Sequence, residues 1–168
     1  MIHILGTILL IAAASSFGVL ETMELRRKPR ELRALIQSLS ILKHDLVART
    51  LPLPDAIAHV AGQCASSCRP FYLEISDRLE NTSLSFFGLW SEEAQMFAKL
   101  GRETRDAFEE LGAHLGKYDV HSQAEAIESC AAVLRGCAER ADARFRQYGK
   151  LYTGLGLTLG AMLAVALY

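Results

Sequence analysis

His114, Asp119 and His121 lie within one short stretch and have the residue types that acid–base chemistry needs. A carboxylate can orient an imidazole, and an imidazole exchanges protons near neutral pH. The same residues have a plainer use. Asp119 directly precedes an apolar periodicity, where an aspartate caps a helix, and both histidines then fall on its surface. The cap is the reading adopted. Glu92-Glu93 and Glu109-Glu110 are neighbours in sequence, so on a helix they point in different directions and form solvated faces.

Cys64 and Cys68 are four apart, and Cys130 and Cys137 seven apart, which places each pair on one helical face. A four-thiolate zinc site would require those faces to meet, yet the short Cys-x-x-Cys knuckle is missing. Small buried thiols are expected, with a disulfide as the alternative for an oxidising compartment. Phosphate-binding loops, nucleophile elbows and His-Glu-x-x-His motifs are absent from the sequence. The expectation is a non-enzyme with no cofactor and no metal. Nucleic acid is not an expected partner either, because the basic residues lack interleaved aromatic platforms.

The elements that hold these residues follow from how charge is distributed. All 18 Lys and Arg and all 19 Asp and Glu fall between Glu21 and Lys150. Ile2–Leu20 and Leu151–Tyr168 carry none, and at about 1.5 Å per residue each would reach roughly 27–29 Å, against a hydrocarbon core of ~30 Å. Two terminal membrane helices are therefore expected, at 2–20 and 151–168, around a central domain at 21–150. A cleaved leader competes for the first segment, favoured by Ala12-Ala13-Ala14-Ser15 and opposed by the lack of Lys or Arg before it. A buried core helix competes for the last. Arg26, Arg27, Lys28, Arg30 and Arg33 follow the first segment, and Arg140, Arg144, Arg146 and Lys150 precede the second. Because basic residues resist translocation, this predicts a cytoplasmic centre and two external termini. Ala14 and Gly18, and likewise Gly156, Gly160 and Ala164, recur every four residues, a spacing that lets membrane helices pack closely.

Within the centre, Leu32, Leu35, Leu39, Leu42 and Leu46 lay an apolar seam along a helix over 30–50. Leu51-Pro52-Leu53-Pro54 breaks it, and a second helix is expected from Pro54 with Asp55 in its first turn. Phe71, Ile75 and Leu79 predict a short helix ending near Asn81, and 82–90 gives no clear pattern. Ser91 before Glu92-Glu93 suggests an N-cap opening a helix through Leu100. Gly101 interrupts it, Thr104–Leu115 resumes, and Gly116 and Asp119 predict a tight reversal. A second long seam then runs through Ile127, Cys130, Leu134, Cys137, Ala141, Phe145 and Tyr148. No stretch alternates as a strand does. The fold class is all-α: a helical bundle built on two long antiparallel helices, with an N-terminal and a C-terminal transmembrane helix.

Several short matches occur in a consistent order. They are Phe17-Gly18, Leu32-Arg33-Ala34-Leu35 with Leu39, Thr50 through Ala56, Leu111-Gly112-Ala113-His114-Leu115-Gly116, Asp119, Gln123, Tyr148, and Gly154 through Gly160. In this order the chain resembles the stage III sporulation protein AB family. It departs from the family pattern at Leu51, which stands between Thr50 and Pro52, and in Leu151–Gly156.

The resemblance implies a component of the secretion-like channel between mother cell and forespore, in the mother-cell membrane around the forespore. The family looks like the inner-membrane platform proteins of type II secretion and type IV pilus systems. It implies, as partners, the membrane, an assembly ATPase like stage III sporulation protein AA and other channel proteins of the same operon, with a homo-oligomer left open. The candidate interaction residues are Leu51, Pro52, Leu53, Pro54 and Asp55 at the elbow, and Leu111, Gly112, Leu115, Gly116, Asp119 and Gln123 at the reversal. Both places are equally well explained as ordinary turns. The alternative function is a membrane-anchored sensor or regulatory adaptor binding a small ligand or metal.

Overall fold

In the computed structural model, the backbone is described for residues 26–81 and 85–166, and side chains for 26–79 and 85–147. Helix α1 covers residues 26–47. There follow α2 (Leu53–Gln63), α3 (Arg69–Asn81), α4 (Phe86–Ala94), a 3₁₀ turn (Gln95–Leu100), α5 (Arg102–His114) and α6 (Val120–Ala166). No strand occurs among the described residues. The chain divides into two units, one comprising Arg30–Ala138, the other Met1–Pro29 with Glu139–Tyr168.

In the Arg30–Ala138 unit the leucine seam of α1 faces inward throughout, from Leu32 to Leu46, none more than 6% exposed. Ala56, Ile57 and Val60 of α2, Ile75 of α3, and Ile127, Cys130 and Leu134 of α6 are buried as well and belong to the core of this unit. Phe71 is the hub of an aromatic cluster, its ring 5.0 Å from Tyr72, 4.9 Å from Trp90, 4.9 Å from Phe97 and 5.7 Å from Phe108. Such edge-to-face and tilted pairs add roughly 0.5–1.5 kcal/mol each beyond the area they bury.

Of the polar side chains buried in this unit, those of Ser38 and Asp45 are paired, while the Thr104 hydroxyl has no hydrogen-bond partner among the described residues. Ser38 donates to the Leu35 carbonyl at 2.8 Å, which leaves its oxygen to accept from the Tyr72 hydroxyl at 2.9 Å. The two long helices lie beside each other where Lys43 of α1 meets Glu128 of α6 at 2.7 Å. In the other unit, the Arg26 guanidinium sits 4.9 Å above the Phe145 ring.

The middle of the chain departs from expectation. Ser91 does not open a helix, because it lies inside α4, where its hydroxyl donates to Glu109 at 2.7 Å. The cap is Ser85, whose side chain accepts from the Gly88 amide, and the 3₁₀ turn carries Phe97 and Leu100 into the core. Arg78 explains why Glu92 and Glu93 are adjacent: its two terminal nitrogens reach one carboxylate each, at 3.0 and 2.9 Å.

Among the described residues, no helix is long and apolar enough to cross a membrane. The expected span over 2–20, with Ala14 and Gly18, lies outside the described residues. The backbone of the expected second span continues α6 without a break as far as Ala166, while packing at Gly156, Gly160 and Ala164 lies outside the described side chains.

Candidate docking surface

The α1–α2 elbow is closed by backbone bonds before any side chain acts. Ala48 and Arg49 donate to the His44 carbonyl at 2.9 and 3.3 Å, and Leu51 donates to that of Asp45 at 3.0 Å. Thr50 takes a positive φ of 49° to make the corner. Helix α2 then starts at Leu53, one residue earlier than expected, with Pro52 as its N-cap and Pro54 in the first turn, where a missing N–H costs no intrahelical bond. Asp55 stands exposed beside the helix N-terminus.

Inside the same corner is a cluster that no sequence motif announced. The Asp45 side chain is fully buried, and its Oδ2 accepts from Nδ1 of His59 at 2.6 Å while Oδ1 accepts from Arg49 at 3.2 Å. His59 Nε2 is left to accept from Gln63 at 2.8 Å. These residues and His44 line an open cavity of about 520 Å³. The only signal available in sequence was an Asp and a His 14 residues apart on either side of a proline pair, which carries no chemistry until the elbow is folded.

The α5–α6 reversal is built as expected. Leu115 leaves the helix with its amide still bonded to the Leu111 carbonyl at 3.1 Å, and Gly116 turns the chain at φ 76°. Asp119 caps α6: Oδ1 accepts from the His121 and Ser122 amides at 3.0 and 3.1 Å, and Oδ2 from the Ser122 hydroxyl at 2.8 Å. The Ser122 hydroxyl and amide, followed by the His121 amide, hold the Asp119 carboxyl below the usual carboxylate range. The Gln123 side chain donates back to the Tyr118 carbonyl at 2.7 Å, tightening the turn. The His114 ring lies tilted against that of Tyr118, centroids 5.4 Å apart, while His121 pairs with Glu125 at 3.3 Å. Asp119, His114 and His121 thus have separate partners, and their arrangement is that of a cap.

The elbow and the reversal, more than fifty residues apart in sequence, touch. Leu53 Cδ2 lies 3.1 Å from where a Cβ on Gly116 would stand. Next along the reversal, the Lys117 ammonium sits 5.4 Å above the ring of Phe87, at the start of α4. The elbow, the reversal and the start of α4 therefore meet at one end of this unit. That end exposes Phe87 (36%), Tyr118 (55%) and Val120 (45%). Between α5 and α6 a groove of about 540 Å³ opens, lined by Leu111, His114, Tyr118, Ser122, Glu125 and Cys130 among others.

The candidate interaction residues divide by burial. Leu111, Gly112 and Leu115 belong to the core; Leu51, Leu53 and Gln123 are half-buried; Pro52, Pro54, Asp55, Gly116 and Asp119 are exposed. Phe87 and Lys117, which no sequence pattern marks, join the exposed group through the fold alone. The thiols do not assemble into a site. Cys64, Cys68 and Cys130 are buried, no disulfide joins any of the four, and among the described residues no group of His, Cys, Asp and Glu has the arrangement of a metal site.

The family model for Stage III sporulation protein AB matches residues 3–168. The chain belongs to the stage III sporulation protein AB family. Its role is accordingly in sporulation. A solved structure of Stage III sporulation protein AB is similar in fold, with a TM-score of 0.60 at 23% identity, over 68% of this chain and 93% of that one. Among curated protein sequences none matches. The family assignment covers both charge-free ends as well as the helical centre, so the AB-family relationship is one of the whole chain.

Proposed function

We propose that the chain is a non-catalytic platform of the sporulation channel between mother cell and forespore, docking a cytoplasmic assembly ATPase to the membrane complex. In this reading residues 2–20 and 151–168 span the mother-cell membrane around the forespore, residues 21–150 form the cytoplasmic helical domain, and both termini are external. The observation that carries the docking role is the meeting of the α1–α2 elbow, the α5–α6 reversal and the start of α4 at an end that leaves Phe87, Tyr118 and Val120 open to solvent. Aromatic anchors on a preorganised surface lose little conformational entropy on binding, which is what a fixed platform for a moving partner requires. The charge-free ends and their basic flanks support the topology.

Photocrosslinking tests the docking role. A photoreactive phenylalanine analogue at Tyr118 is expected to capture the ATPase encoded in the same operon, and one at Leu73, also exposed but on α3, is not. Equal capture at both positions would remove this end as the docking surface. For the topology, Ala98→Cys in a version lacking the native cysteines is expected to react with an impermeant maleimide only after permeabilisation. Reaction in intact cells would place the centre outside and exclude a cytoplasmic motor as its partner.

A further inference from the structure

The near-neutral total hides an uneven division of charge. Met1–Pro29 with Glu139–Tyr168 carries seven Lys and Arg against four Asp and Glu, whereas Arg30–Ala138 carries eleven against fifteen. In the former unit, the residues with described side chains include Arg26, Arg27, Lys28, Arg140, Arg144 and Arg146 alongside the acidic Glu139 and Asp142. All of these basic residues except Lys28 are exposed. Arg26 and Phe145 fix the two helical stretches against each other, the guanidinium 4.9 Å over the ring, so cations from both ends of the sequence are held in one place.

We propose that this collar binds the anionic headgroups of phospholipids in the membrane that the chain spans, an inference that rests on the membrane reading above. Helix α6 is unbroken from the arginines to Ala166 and enters a stretch without charge at Leu151. At about 1.5 Å per residue, Arg146 stands roughly 7 Å before that point, Arg144 roughly 10 Å and Arg140 roughly 16 Å. The headgroup layer is about 5–7 Å deep on each side, so Arg146 stands at its outer edge, while Arg144 and Arg140 act on it from farther out, within the ~10 Å range over which exposed charges attract. Tyr148 and Tyr152 follow in sequence at the level where aromatic residues with a polar tip concentrate at a membrane interface. Charge complementarity selects anionic lipids over zwitterionic ones. A solvated protein partner would not account for the coincidence of the collar with the start of the uncharged run.

The test uses the full chain, purified in detergent, exposed to mixed phosphatidylcholine and phosphatidylglycerol, with the retained lipids quantified by mass spectrometry. Retention of phosphatidylglycerol above its input share is expected, falling by up to about fivefold for each arginine neutralised. The triple variant Arg140→Gln, Arg144→Gln, Arg146→Gln is expected to lose the preference, and the corresponding Arg→Lys variant to keep it, since charge alone is required; circular dichroism checks that both stay helical. Retention in the input ratio by the unmodified chain, or an unchanged preference in the Gln variant, would overturn the proposal. So would a preference that inorganic phosphate abolishes but sodium chloride of equal ionic strength does not, because that marks a site for free anions. Flotation with pure phosphatidylcholine vesicles separates the two readings. A chain that floats without selecting anionic lipid is a membrane protein lacking this site, and one that does not float loses both.

Discussion

The indole of Trp90 occupies the space that a side chain on Gly112 would need, its Cγ 2.7 Å from where a Cβ would stand. The ring is held there by its N–H, which donates to the Phe108 carbonyl at 2.6 Å, and by Phe108 stacked at 6.1 Å. Gly112 is therefore a packing residue of the α4–α5 contact. Gly112→Ala is expected to destabilise the domain by about 1–3 kcal/mol, the usual cost of overpacking a filled core. Because Trp90 is the single tryptophan, denaturant titration followed by its fluorescence reads both the stability and the displaced ring. An unchanged midpoint and emission would mean that the indole has another seat.

Gly116 is under a different constraint. Its φ of 76° is in the left-handed region, and Leu53 crowds its open side. Gly116→Ala should cost about 1 kcal/mol and Gly116→Val more, whereas Asn, which tolerates this conformation, should cost least. Gly62 is the control: nothing lies within 4 Å of its Cβ position in α2, so Gly62→Ala should stabilise by roughly 0.5–1 kcal/mol. Thermal melts of the four variants give the order directly.

The Asp45–His59 pair ties the end of α1 to α2. His59→Ala leaves a fully buried carboxylate with Arg49 alone, and a loss of about 2–3 kcal/mol is expected, less than for an enclosed pair because the imidazole is 32% exposed. Asp45→Asn combined with His59→Ala should lose less than the sum of the single changes, by about 1 kcal/mol. Additivity in the double-mutant cycle would show that the contact contributes nothing.

Alkaline pH should weaken the fold. Burial pushes the Cys130 thiol up to about 12 and the Cys68 thiol up to about 11, and it raises the Tyr72 hydroxyl as well. The folded protein keeps these protons to higher pH than the unfolded chain, in which thiols ordinarily titrate near 9.0. The stabilisation is whole below pH 9 and is lost as pH rises toward 11–12, so the denaturation midpoint should fall across that window. Cys130→Ser should flatten the fall while lowering stability at neutral pH. A midpoint that stays level between pH 8 and pH 11 would contradict this account.

Local backbone chemistry made the all-helical class, the corner at Pro52–Pro54 and the Gly116–Asp119 reversal readable from sequence, because proline, a left-handed glycine and an aspartate cap act through atoms a few residues away. The leucine seam of α1 was readable for the same reason: its period is a property of one helix, and all five leucines are buried. The start of α4 was misplaced because Ser91 precedes two acidic residues as an N-cap does, whereas the helix begins after Ser85 and carries Leu89 and Trp90 into the core, a burial that depends on the other helices. The seating of Trp90 on Gly112, the Asp45–His59 pair and the contact of Leu53 with Gly116 were decided by tertiary structure. Each joins residues 14 to 63 positions apart, and which distant groups meet depends on how whole helices pack.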